Sequence, residues 1–113
     1  MPKSRDVYLR HIMDEIRFLK SLPPVDDGVA LKDDAVKSRA VVRSLEIIGE
    51  AATKIDPDFK SKNPNIPWRR MIALRNRLIH GYMGINYNIV MNVLQHEVPR
   101  LANQLESLLP SDE

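Results

Sequence analysis

An all-α fold, an antiparallel up-and-down bundle of four helices, is what this sequence predicts. Three observations lead there: apolar residues recur every three or four positions through most of the chain, no segment keeps up the alternation of a strand, and breakers cluster in short connections. At 113 residues the chain is sized for one domain, read as spanning 1–113.

The first helix is expected from Arg5 to Leu22, with Tyr8, Ile12, Ile16 and Leu19 on its apolar stripe, Ser4 as its cap and Pro23-Pro24 as its stop. A turn through Val25-Asp26-Asp27-Gly28 follows. Asp33 or Asp34 then opens a long second helix to Ile55, with Ala35, Val36, Val42, Leu45, Ile48, Ala51 and Ala52 as its apolar faces. The breaker-rich stretch from Asp56 to Pro67 has room for one short turn of helix. Pro67 suits the first position of a third helix, where its missing amide would find no partner anyway. That helix runs to Ile79 or His80, with Gly81 as a left-handed cap. A last helix from Tyr87 to Leu109 carries Ile89, Val90, Val93, Leu94, Val98, Leu101, Leu105 and Leu108, and Pro99 kinks or interrupts it. Trp68 reads as core, and Met71, Met83 and Met91 read as bundle or dimer packing.

Composition narrows the functional classes. Lys and Arg total 17 against 15 acidic residues, too even a balance to mark a nucleic-acid binder by bulk charge. Local charge is more telling: Arg69, Arg70, Arg75 and Arg77 fall within nine positions with no acidic residue between them. The absence of cysteine excludes disulfides, thiolate nucleophiles and thiolate metal sites. The opening MPKSRDVYLR lacks the apolar core of a secretory signal, and no apolar run reaches membrane-spanning length. A cytoplasmic protein without membrane contact is therefore expected.

The chemistry is expected in RNRLIHGY, Arg75 to Tyr82. With ten Arg and three His in the chain, one Arg-His pair is weak evidence, and Arg5 with His11 nearly repeats the spacing. Five positions along an ideal helix turn the chain by about 500°, leaving Arg75 and His80 on faces roughly 140° apart. Unwinding at Gly81 would let the imidazole swing toward Arg75, or toward the same pair in a second subunit. A His at a helix C-terminus faces the negative end of the dipole, which suits a group that must carry a proton. Metal-free RNA cleavage needs a proton acceptor, a proton donor and a permanent cation over the phosphorane. Arg75 supplies the cation, and His80 one of the proton-transfer groups. A symmetric dimer supplies both imidazoles. Asn76, four positions before His80, is a candidate to orient the imidazole, and Tyr82 is expected to be accessible just beyond the glycine. The bland alternative makes Arg75 and Arg77 solvated and His80 a simple helix end.

Three segments together carry more information: RSLEIIGEAATKI (Arg43 to Ile55), NIPWRRMIALRNRLIHGY (Asn65 to Tyr82), and the acidic turn before the second helix. Their order resembles the HEPN domains, and within them the HepT-like toxins paired with small nucleotidyltransferase antitoxins. The resemblance implies a HEPN-like helical bundle that forms a homodimer, with the motif Arg and His of both subunits lining an RNA-cleaving cleft; Arg75 and His80 match that pair. It also implies a cognate antitoxin that transfers AMP from ATP to the motif tyrosine, here Tyr82. Two rival readings remain. In one, the chain is a non-catalytic nucleotide- or substrate-binding subunit of a two-component nucleotidyltransferase. In the other, His11 and Glu15 bind a metal, although two ligands on one helix make no complete site. No cofactor and no metal are expected. His96 is read as a surface residue.

Overall fold

A computed structural model describes residues 5–109, and all the regular structure among them is helical. Helices α1 (Arg5–Ser21), α2 (Gly28–Asp33), α3 (Ala35–Lys54), α4 (Pro57–Lys62) and α5 (Trp68–His80) come first. A 3-10 turn over Tyr82–Gly84 leads to α6 (Tyr87–Asn92), a π-helical segment (Val93–Glu97) and α7 (Val98–Glu106). The expected cap Ser4 lies outside the described residues.

Side-chain caps explain most of the starts. Asp27 accepts from the amide of Ala30 at 2.9 Å, Asp34 from Lys37 at 2.9 Å and Asp56 from Phe59 at 3.0 Å. Asn86 accepts from the amides of both Asn88 and Ile89. Each satisfies donors that the first helical turn would otherwise leave open. The acidic turn is therefore two caps in succession, and Asp27 starts a short helix that periodicity did not reveal. That helix packs on α6, and a Cβ at Gly28 would lie 2.9 Å from the Asn88 amide nitrogen.

Leu9, Ile12, Met13, Ile16 and Leu19 of α1 meet Val41, Leu45, Ile48 and Ala52 of α3 in the core, which also takes in Leu31, Trp68, Met71, Leu78, Val90, Val98, Leu101 and Leu105. α3 is the central element, packing on both α1 and α5. Ala35 and Val36, expected on its apolar faces, are exposed instead, because they occupy the first turn beyond the reach of α1 and α5. Met71 and Met91 are buried, while Met83 is exposed. The buried Ser44 hydroxyl donates to Glu15 Oε1 at 2.8 Å, which ties α3 to α1 and engages the carboxylate of the His11–Glu15 pair. Among the described residues no group of three His, Cys, Asp or Glu side chains could hold a metal ion.

Two junctions near the motif differ from expectation. Pro67 is the cap of α5 rather than its first residue, and the start is held by Trp68, whose indole N–H donates to the Asn63 carbonyl at 3.1 Å. Gly81 is not left-handed: its φ is −107°, and no described residue has a positive φ. The amide of Gly81 continues the helical pattern by donating to the Arg77 carbonyl at 2.8 Å, and the chain then tightens into the 3-10 turn. Crowding accounts for a glycine there, since a Cβ would lie 2.8 Å from that carbonyl oxygen. The last helix is interrupted just before Pro99, as one of the two expected outcomes had it. The five-residue π segment before this proline shifts the ladder, and the amide of Val98 donates to the Val93 carbonyl, so a proline is accepted in the next turn. Among the described residues no helix is long and apolar enough to cross a membrane.

Candidate active site

Gly49 makes the seam between α3 and α5. A Cβ there would meet Arg75 Cβ at less than any real contact distance and would lie 2.6 Å from the Met71 carbonyl oxygen. The two helix backbones thus touch at the level of Arg75, and only a residue without a side chain permits it. The next residue, Glu50, then reaches the guanidinium, with Oε1 2.7 Å from Arg75 Nη2. Arg75 Nη1 donates to Asn76 Oδ1 at 2.8 Å, and its Nε–H is buried with no protein acceptor. Two of five guanidinium donors are thereby committed, and the planar group is held with its side chain 28% exposed.

Arg75 opens onto a cleft of about 430 Å³ shared with Tyr8 and His11 of α1 and with Arg43, Glu46 and Lys54 of α3. His80 lines a different cleft, of about 380 Å³, with Leu74, Arg77, Asn86 and Ile89. Tyr82 is 73% exposed and lines a third, of about 650 Å³, with Lys32, Arg39, Arg43, Glu46 and Tyr87. In one chain, then, the structure places Arg75 and Asn76 in contact, and it places His80 and Tyr82 at the surface on either side of Gly81. It does not set Arg75 and His80 in a common cleft: α5 stays helical through His80, so the angular separation of the two positions is retained. Asn76, a candidate to orient the imidazole, has its side-chain oxygen engaged by the neighbouring Arg75 guanidinium.

The arginines that are adjacent in sequence do not form one patch. Arg70 pairs with Glu97 at 2.6 Å, Arg77 lies beside His80, and Arg69 is exposed away from all three clefts. Residues that sequence reasoning missed take their place. Gly49 and Glu50 were visible only as part of the IGEA string, whereas His11, weighed from the sequence as a partner of Arg5 and of Glu15, shares the Arg75 cleft in an edge-on contact with Tyr8, ring centroids 6.1 Å apart. Arg39 and Arg43, four positions apart, had the spacing of one helix face.

Residues 12–108 match the family described as Ribonuclease HepT-like, which takes in α3, α5 and the whole RNRLIHGY segment. The chain belongs to the HepT-like ribonuclease family. It is 38% identical over 108 residues to a protein of Caldanaerobacter subterraneus subsp. tengcongensis named as a putative RNase, covering 93% of this chain and 94% of that one. A protein of Thermococcus cleftensis named "Probable ribonuclease HepT" is 34% identical over 111 residues, covering 96% and 98%. A Methanocaldococcus jannaschii protein, also named as a putative RNase, is 48% identical over 67 residues, covering 59% of this chain and 62% of its own. No solved structure matches. The matched RNRLIHGY segment supplies Arg75, His80 and Tyr82, one to each of the three clefts.

Proposed function

We propose that this chain is a metal-independent endoribonuclease toxin of a toxin-antitoxin pair, acting in the cytoplasm. In this reading the four long helical stretches, 5–21, 35–54, 68–80 and 87–106, form an up-and-down bundle that pairs with a second copy of itself. The observation that carries it is the arginine at the start of RNRLIHGY, clamped by Glu50 in an open cleft of a HepT-like ribonuclease chain.

The chemistry is a transesterification. A base takes the proton of the 2'-hydroxyl, O2' bonds to the adjacent phosphorus, the bond from phosphorus to O5' breaks, and an acid protonates the departing oxygen. Arg75 keeps uncommitted donors for the charge that builds on the phosphorane oxygens. His80 of one copy and His80 of the other serve as acid and base. Because Arg75 and His80 line different clefts of one chain, their meeting is assigned to the dimer, where both Arg75 and both His80 line one cleft.

Tyr82 is the group through which a nucleotidyltransferase antitoxin silences the toxin by transferring AMP to its hydroxyl. Its exposure suits an enzyme that must reach it, and the added phosphate would sit among Lys32, Arg39 and Arg43. The test is cleavage of RNA in excess chelator by wild type, Arg75→Ala and His80→Ala. Wild type should cut and both variants should fail, whereas Tyr82→Phe should cut but accept no AMP. Binding without cutting by wild type would replace the toxin with the non-catalytic subunit of a nucleotidyltransferase.

A further inference from the structure

The Arg75 and Tyr82 clefts adjoin, because Arg43 and Glu46, three positions apart on α3, line both. Charge in the Tyr82 cleft is one-sided: Lys32, Arg39 and Arg43 face Glu46 alone. Arg43 has Glu46 at 3.5 Å and is itself 71% exposed. Among the described residues no carboxylate comes within ion-pair distance of Lys32 or Arg39. Cations gathered without counter-charges favour an anion between them. The same cleft offers two aromatic rings, Tyr82 exposed and Tyr87 half-buried.

Repeating phosphates with accessible base faces are what such a surface fits. In a duplex the base faces are stacked away, so the tyrosines would have nothing to hold. We infer that single-stranded RNA runs from the Tyr82 cleft across Arg43 into the Arg75 cleft, with Lys32 and Arg39 on phosphates flanking the one at Arg75 and a tyrosine against a flanking base. The identity of the polyanion rests on the ribonuclease reading above. The charge distribution does not.

The test is a salt series of binding isotherms, read by fluorescence anisotropy, with 2'-O-methyl RNA that cannot be cut. Single-stranded and hairpin forms are compared on wild type, K32Q/R39Q, the charge-preserving K32R/R39K and a control, R69Q/R100Q, that removes two exposed charges elsewhere. Wild type should prefer the single strand. Losing two phosphate contacts should lower the slope of log affinity against log salt by about 1.4 and the affinity at about 0.1 M salt by roughly tenfold or more. The control and the charge-preserving variant should keep the wild-type slope. Equal loss in the control, an unchanged slope in K32Q/R39Q, or a hairpin bound as tightly as the single strand would overturn the inference. Wild type that binds in this way yet cuts no natural RNA would uphold the path and reject the ribonuclease. Cutting that coexists with an unchanged slope in K32Q/R39Q would do the reverse.

Discussion

Substituting Gly49 by alanine sets two effects of opposite sign against each other. In an uncrowded helix the change stabilises by about 1 kcal/mol, because glycine is the poorer helix former. Here the new methyl would lie 2.6 Å from the Met71 carbonyl oxygen and 3.0 Å from Arg75 Cγ, with Arg75 Cβ nearer still. Two of the three obstacles are backbone or next to it, so no side-chain rotation relieves them, and α3 and α5 must part by ~1 Å. Overpacking of this kind costs typically 1–3 kcal/mol, and parting the helices also loosens Ile48, Met71 and Leu78. The upper end of that range, less the propensity gain, leaves about 2 kcal/mol of net destabilisation, or roughly a 10 °C fall in Tm for a domain of this size. RNA cleavage measured well below the new Tm should fall further than the folded fraction does, since Glu50 and Arg75 are carried apart. Thermal unfolding followed by circular dichroism, with cleavage measured on the same samples, gives both readings. An unchanged or raised Tm would refute the close approach inferred at this seam.

Other expectations follow from individual contacts. Ser44→Ala should cost about 1 kcal/mol, seen as a lower urea midpoint with an unchanged slope, because its buried hydroxyl donates to Glu15. Glu50→Ala should leave stability within about 1 kcal/mol, since the pair with Arg75 is partly exposed, while lowering the cleavage rate roughly tenfold. Glu50→Gln should retain most of that rate by keeping an acceptor for the guanidinium, and equal loss in both variants would make the charge, not the positioning, decisive. His80→Ala should abolish cleavage and His11→Ala should leave it largely intact; the opposite pattern would move the proton transfer to the imidazole that shares the Arg75 cleft in one chain.

The long helices were legible because burial on one face leaves a period. α1 was expected over Arg5–Leu22 and ends at Ser21, and α5 ends at His80 as the glycine suggested. α2 was not legible: six residues carry too little periodicity, and its start is fixed by one capping aspartate and by Asn88, sixty positions away. The left-handed conformation expected at Gly81 failed for a related reason. Glycine at a helix end serves either an unusual φ or a crowded approach, and sequence does not distinguish them. Pro99 posed a similar choice, settled by a π segment that depends on the packing of Val93 and Val98. For the site, the motif identified the residues but not their grouping. Spacing gave the angle between Arg75 and His80, whereas Glu50 and Gly49 entered only through the contact between α3 and α5, which no local pattern encodes.

The central claim is that the His80 side chains of two copies serve one site. Wild-type and His80→Ala proteins can be mixed in equal amounts under conditions that exchange subunits, with heterodimers counted by native mass spectrometry and RNA cleavage measured on the mixture. A site that needs both imidazoles predicts about a quarter of the activity of the same amount of wild-type dimer, since only a quarter of the dimers keep two His80. About half the activity, with mixed dimers formed, would contradict it, because each chain would then be working alone.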